Sequence, residues 1–265
     1  MGVIKIKENK KISVTLLANT GIVIQYEEYK LLVDGLHKST NTTFSGVSES
    51  VLDKLFNAEE SKFENINYLL FTHLHVDHFS AEYTDEFLEI HNLKASFFPS
   101  GLKEKHKLLS KKVEEKSAVT YYFEMELGEK KIIDIDDNFS LAAFPSLHAG
   151  EQYRDVENYC YLINFAGKKI FIISDSDYDA EYFKEILKNE EIDILFVNPL
   201  FINNPRGREV ITKAISPKKL VVYHIPFKED DKYKFRKMLS RDLKKYEDIL
   251  PETIVLAEEL ETIKI

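Results

Sequence analysis

The residues Asn67-Tyr68-Leu69-Leu70-Phe71-Thr72-His73-Leu74-His75-Val76-Asp77-His78 carry the densest chemistry in the chain. An apolar run leads into a polar stretch that holds His73, His75, Asp77 and His78. Imidazole nitrogen and carboxylate oxygen are donors that suit zinc, iron and manganese. In extended backbone His73 and His75 point the same way, because side chains alternate with a period of two. Asp77 and His78 follow at once, so one loop can aim them at a second cation beside the first.

Further candidates obey one placement rule. Leu141–Phe144 leads to His148, Ile170–Ile173 to Asp175, Leu220–Tyr223 to His224, and Leu31–Val33 to Asp34. Each apolar run reads as a strand, with a metal-type residue at or just beyond its carboxyl end. If those strands share a sheet edge, the groups converge on one cleft. Singly, each has a plainer reading: a polar residue at a sheet edge for His148 or His224, and a turn or cap for Asp175 and Asp34. Together, with Asp175 as a bridge, His73, His75, Asp77, His78, His148, Asp175 and His224 supply two nearly complete coordination shells with room for a water. His91 and His106 lie on charged helical stretches and are expected in solvent. His37 is close to Asp34 but is expected outside the site.

The elements that must hold these residues alternate along the chain. Gly21–Tyr26 and Lys30–Val33 flank a polar turn at Glu27-Glu28 and read as a hairpin. Helical spacing links Val51, Leu52, Leu55 and Phe56, then Tyr83, Phe87 and Ile90. A third helix starts at Asp179, a good N-cap, with Tyr182, Phe183, Ile186 and Leu187 on one face. A fourth is expected over about Asp230 to Lys245, with Phe235, Met238 and Leu239 inward. Strand-like stretches lie between them, among them Val119–Glu126, Lys131–Ile135, Phe139–Phe144, Tyr159–Phe165, Lys169–Ile173 and Ile192–Val197. The charged segment Lys103–Ser117 reads as a solvated surface helix or excursion. Strands and helices mixed throughout predict a layered α/β fold, and no Pro/Gly/Ser linker divides residues 1–265, so one domain is expected.

The chain has 265 residues, 44% hydrophobic and 31% charged, an ordinary globular balance that excludes a disordered or collagen-like polymer. Cys160 is the only cysteine, which excludes a disulfide scaffold and a thiolate zinc knot. The 36 basic against 45 acidic residues give a net charge of −9, which argues against nucleic acid as a partner. No apolar run approaches the roughly 18 residues of a membrane span. Met1–Lys7 lacks the apolar stretch of a secretory signal, and Ile6 occupies the position where a myristoylation motif wants Ser or Thr. The expectation is a cytoplasmic protein with a small-molecule substrate and no membrane partner; the even charge mixture selects no oligomeric state.

His73-Leu74-His75-Val76-Asp77-His78 resembles the HxHxDH signature of the metallo-β-lactamase superfamily, and His148, Asp175 and His224 resemble its later ligand motifs in order. The likeness spans nearly the whole chain. It implies a four-layered αββα sandwich with the metal cleft along one edge of two sheets. It further implies a first cation on His73, His75 and His148, a second on Asp77, His78 and His224, and Asp175 between them. Asp34 resembles the family's aspartate behind the site, which orients a ligand imidazole.

The implied chemistry is hydrolysis. Two divalent cations, zinc first and manganese or iron as alternatives, would lower the pKa of a bound water from 15.7 toward about 7. The resulting hydroxide would attack a small ester, lactone or phosphoester. Asp77 could accept a hydrogen bond from that nucleophile and later return a proton to the leaving group. His75 stands where iron-dependent reductases of the superfamily place glutamate, which argues against a di-iron redox role. A metal-stabilised module without catalysis is the other alternative. Pro145-Ser146-Leu147-His148-Ala149-Gly150 departs from the HTPGH pattern and is closer to the branch of L-ascorbate-6-phosphate lactonase and N-acyl-phosphatidylethanolamine phospholipase D. Tyr153, Arg154, Tyr178 and Arg206 lie on segments expected to approach the cleft, where an arginine would suit a phosphate or carboxylate.

Overall fold

The computed structural model describes residues 11–39 and 44–265. The reading of Met1–Lys7 therefore lies outside the described residues. The first sheet holds β1 (Ser13–Leu16), β2 (Ile22–Tyr26), β3 (Tyr29–Val33), β4 (Tyr68–Leu70), β5 (Leu93–Pro99) and β6 (Ser117–Phe123) in that order. The second runs β7 (Lys131–Asp136), β8 (Phe139–Ser146), β9 (Asn158–Phe165), β10 (Lys168–Ile172), β11 (Ile194–Val197), β12 (Lys219–Val222) and β13 (Glu252–Val255). The last strand, β14 (Thr262–Lys264), returns to the first sheet and pairs with β1. The expected hairpin is β2–β3, with Tyr26 opposite Tyr29 and Glu27 at a φ of 54° in the turn.

The inner strands of both sheets are buried on both faces, so they read as apolar runs more than as alternating ones. Val14, Ile24, Leu31, Tyr68, Phe97 and Phe139 belong to the layer between the sheets. Phe139 sits at its centre, with ring centroids 4.9 Å from Tyr68, 5.4 Å from Tyr29 and 4.7 Å from Phe165. On the outer face of the first sheet pack α1 (Glu49–Phe56), α2 (Ala81–Ile90), α3 (Gly101–Lys105) and α4 (Lys107–Lys116). The outer face of the second is covered by α5 (Ala180–Ile186), α6 (Pro199–Asn203), α7 (Pro205–Glu209) and α8 (Phe235–Lys245). The result is the expected αββα sandwich.

Local chemistry explains the helix starts. Ser48, Ser80, Asp179 and Asn198 each accept a backbone N–H with the side chain, capping α1, α2, α5 and α6. The fourth expected helix begins only at Phe235, because Asp231 spends its carboxylate on the N–H groups of Phe235 and Arg236. Its Leu239 is buried, whereas Phe235 and Met238 are only partly so. Ile90 also departs from its expected inward position and lies exposed at the end of α2. The Lys103–Ser117 segment is helical, in α3 and α4, but not wholly a solvated face: Leu109 and Val113 of α4 are buried against the first sheet.

Cys160 lies fully buried on β9, its thiol facing the Ile173 carbonyl at 3.2 Å, and burial pushes that thiol up to about 11. A thiol-specific chromogenic reagent at pH 8 is expected to find no reactive group in the native protein and one per chain after denaturation. Rapid labelling of the native form would contradict this burial.

Candidate metal centre

Strand direction brings the candidate residues to one edge. β3 is parallel to β4, and β10, β11 and β12 are mutually parallel. β8 and β10 are both antiparallel to β9, so they share a direction too. The carboxyl ends of β3 and β4 therefore deliver Asp34 and the His73–His78 loop, while those of β8, β10 and β12 deliver His148, Asp175 and His224. Hydrogen bonds tie the two sheets together beside this edge, from Tyr159 N–H to the Thr72 carbonyl at 3.0 Å and from the Tyr161 hydroxyl to the Phe71 carbonyl at 3.1 Å.

The chain makes sharp turns where these residues emerge. Asp34, Ser174 and His224 all adopt left-handed backbone, with φ of 46°, 56° and 59°. Non-glycine residues held there cost about 1–3 kcal/mol each, and such positions concentrate where a site demands an aim that relaxed backbone cannot give. Gly21 makes room for the Asp34 turn: a Cβ on it would lie 2.8 Å from the Gly35 Cα and 3.2 Å from the Asp34 carbonyl oxygen. Farther along, the His148 and Asp175 loops are laced together by Ala149 N–H to the Asp175 carbonyl at 2.7 Å and Asp177 N–H to the Leu147 carbonyl at 2.8 Å. After His75 the chain reverses, with the N–H groups of His78 and Phe79 both donating to the His75 carbonyl.

All seven expected donors come together. His73, His75 and His148 form one set, Asp77, His78 and His224 a second, and His73, His78 and Asp175 a third, with ligand atoms of each set within 4.8 Å of one another. Asp175 stands between them: its Oδ2 is 3.5 Å from His78 Nε2 and 3.8 Å from His148 Nε2, and its Oδ1 is 3.4 Å from His224 Nε2. Those three Nε2 atoms are buried and have no hydrogen-bond partner.

The opposite ring nitrogens are committed. His78 Nδ1–H donates to Asp34 Oδ2 at 2.9 Å and His148 Nδ1–H to the Ala149 carbonyl at 2.8 Å. Thr72 Oγ1 donates to Asp34 Oδ2 at 2.6 Å and lies 3.1 Å from His73 Nδ1, whose proton it can accept. These bonds engage the Nδ1 atoms and leave each Nε2 facing the cleft, where it offers a lone pair once any proton on it is displaced. Thr72 escaped the sequence reading, since nothing about a threonine before HxHxDH reveals that its hydroxyl links two ligand-type rings to Asp34.

Electrostatics single out three groups. Burial works against a charged His78, but Asp34 and Asp175 outweigh it and hold the imidazolium well above the usual histidine range. Burial likewise opposes the Asp175 carboxylate, yet His224 and His78 keep it well below the usual carboxylate range. His73 lies well below its ordinary value because burial and the neighbouring His78 both disfavour its charge.

Two other histidines depart from expectation. His37 is fully buried, its Nε2 lacks a hydrogen-bond partner, and burial with His78 nearby lowers it to about 3. It therefore borders the centre as a neutral ring, near His78, Asp77 and His224. His91 is not solvated: it stacks on Phe87 at 4.0 Å and its Nε2–H donates to the Leu55 carbonyl at 2.8 Å, pinning α2 to α1. His106 is half-buried, 5.3 Å from the Phe79 ring.

A cavity of about 350 Å³ opens beside His148, Asp175 and His224. Tyr153 and Tyr178 line it, as the sequence suggested, whereas Arg154 and Arg206 do not. Arg154 is drawn outward by Asp177, 2.8 Å away, and Arg206 is exposed in the first turn of α7. Phe44, Leu200 and Phe235 complete most of the wall and had no signature in the sequence.

No protein-family model matches the chain, and no curated protein sequence matches it. Solved structures do. The metallo-β-lactamase fold protein YhfI from Bacillus subtilis is 15% identical, covers 95% of this chain and 99% of its own, and has a TM-score of 0.64. An isothiocyanate hydrolase from Delia radicum gut bacteria is 13% identical over 95% of this chain and 98% of its own, with a TM-score of 0.63. CmlA, a diiron β-hydroxylase from Streptomyces venezuelae, is 13% identical over 97% of this chain but only 54% of its own, also at 0.63. At these identities the likeness establishes the metallo-β-lactamase fold.

Because Asp34 and Asp175 favour the protonated form of His78, a cation that takes up its Nε2 competes with a proton there. Divalent-metal binding to the metal-free protein is expected to release protons and to tighten as pH rises from 6 to 8. Calorimetry in buffers of differing ionisation enthalpy measures this; heats independent of buffer would refute it.

Proposed function

We propose that this chain is a metal-dependent hydrolase that opens a small ester, lactone or phosphoester. The observation that carries the reading is the ring of partnerless, buried Nε2 atoms on His78, His148 and His224 around the Asp175 carboxylate. A buried polar atom left unpaired costs about 1–3 kcal/mol, so three in one place around a carboxylate favour a ligand that nitrogen and oxygen donors would share. Divalent cations fit that requirement. His73, His75 and His148 would hold one, Asp77, His78 and His224 the other, and Asp175 would touch both. Zinc suits this histidine-rich set first, with manganese and iron as alternatives. When bound, such cations lower the pKa of water and polarise the bond to be cleaved.

The chain's own groups do the rest. Asp34 and Thr72 hold His78 and His73 in register, so the donors need not reorganise. Asp77, with Oδ2 4.0 Å from His224 Nε2, would take a proton from attacking water and return it to the leaving group. Tyr153 and Tyr178 wall the cleft and limit water beside the reacting bond. Two solved structures of the same fold, one named a putative and one a possible metal-dependent hydrolase, favour this chemistry. The likeness of Pro145–Gly150 to the lactonase and phospholipase D branch puts lactones and phosphodiesters among the substrates to try. The fold likeness to a diiron β-hydroxylase supports one alternative, a di-iron redox protein.

Protein purified without added metal is expected to contain close to two divalent cations per chain. A chelator should abolish ester or lactone hydrolysis, and zinc or manganese should restore it. His75→Ala with Asp175→Ala should remove at least 1,000-fold of kcat/KM, as loss of an electrostatic anchor commonly does. Full activity in that variant would sink the proposal, and iron with an oxygen-dependent absorbance change but no hydrolysis would replace it with the redox reading. Asp34→Asn is expected to weaken metal affinity about 10- to 100-fold, measured by competition with a chromogenic chelator.

A further inference from the structure

We infer that the substrate is electrically neutral and carries an apolar group, so that the bond opened belongs to a carboxylic ester or lactone and not to a phosphate ester; this rests on the hydrolase reading above. Bound cations would accept an oxygen from either kind of ester, so the distinction must come from the opposite wall. There the cavity presents Phe44, Tyr153, Tyr178, Leu200 and Phe235. Phe44 meets the His224 ring edge-on at 4.7 Å and stacks on Phe235 at 6.2 Å, so the apolar wall begins directly against a donor to the cleft.

No lysine or arginine among the described residues lines the cavity. The nearby arginines are occupied elsewhere. Arg154 pairs with Asp177, Arg208 donates to the carbonyls of Ile202 and Asn203 and covers the Tyr246 ring, and Arg236 binds Glu258 and the Ala257 carbonyl. Thr40-Asn41-Thr42-Thr43, which precede Phe44 in the sequence, contain no cation. Phosphate recognition ordinarily recruits an arginine fork or a row of free backbone N–H groups. The start of α6 supplies neither, since Pro199 has no N–H and Asn198 spends its side chain on Leu200 N–H and Asp175 Oδ1. The phosphoester reading of Arg154 and Arg206 thus loses its cations.

The mouth points the same way. Tyr153 and Leu200 are lining residues, yet 41% and 40% exposed, and Val76 and Leu147, neighbours in sequence of His75 and His148, are exposed as well. Large apolar side chains left in water around a cleft gain by covering an apolar substrate.

The zinc- or manganese-loaded protein would be assayed on p-nitrophenyl acetate and butyrate, methyl and propyl acetate, p-nitrophenyl phosphate and bis-p-nitrophenyl phosphate. Lengthening one side of the carboxylic ester by two methylenes is expected to raise kcat/KM roughly tenfold. Both phosphate esters should be turned over at least tenfold more slowly than the butyrate. Competition should follow the same order, with 4-phenylbutyramide inhibiting at lower concentration than inorganic phosphate. Leu200→Lys, at an exposed position that tolerates charge, should reduce the chain-length gain and improve phosphate-ester turnover. Preference for a phosphate ester, or flat responses in both carboxylic series, would overturn the inference while leaving the hydrolase reading intact. Absence of metal-dependent hydrolysis of every ester would instead remove the reading on which it rests.

Discussion

The centre depends on one buried carboxylate. Asp34 is wholly enclosed, and its oxygens accept the Thr72 N–H at 2.8 Å, the Thr72 hydroxyl at 2.6 Å and His78 Nδ1–H at 2.9 Å. A buried carboxylate without such donors would cost several kcal/mol, so the three bonds are conditions for the turn after β3 to exist. They also transmit its position. Thr72 is the residue before His73, and its carbonyl receives Tyr159 N–H from the second sheet. One side chain thereby registers both sheets and two of the ligand-type rings.

What that clamp secures, the rest of the fold makes affordable. Left-handed turns at Asp34, Ser174 and His224 run against local preference. The large apolar layer between the sheets supplies the opposing term, since each fully buried Phe, Leu or Ile contributes about 1.5–3 kcal/mol. Among the described residues the left-handed positions all lie outside the strands, and three of them stand where strands lead into the site.

The ligand-type residues were legible in the sequence because strand ends are legible. An apolar run followed by His or Asp is a one-dimensional pattern, and parallel pairing of β3 with β4 and of β10 through β12 turns it into one edge. Groups whose roles depend on tertiary partners were not legible. His37 and His91 sit in polar or charged sequence but are buried by packing from distant segments, and Thr72 acquires its role only from Asp34. The wall of the cavity was the least accessible, as Phe44, Leu200 and Phe235 come from three separate stretches with no shared spacing. The two arginines were placed by chain proximity, and a single carboxylate, Asp177, was enough to turn Arg154 away.

A site assembled from donors between positions 73 and 224 has a thermodynamic consequence. Zinc-finger domains obtain their fold from the cation, since nothing else holds the ligands together. Here the ligand-type rings are already held by Asp34, Thr72 and the Ala149 carbonyl, and by two sheets with their own apolar layer. Cation binding therefore need not supply the ordering of the chain. What it must overcome is the displaced proton on His78 and the attraction of Asp175 for its histidine neighbours, terms that pH controls. The cost of organising the centre is carried by the sandwich, which leaves the affinity for the cation to be set chiefly by electrostatics inside the cage.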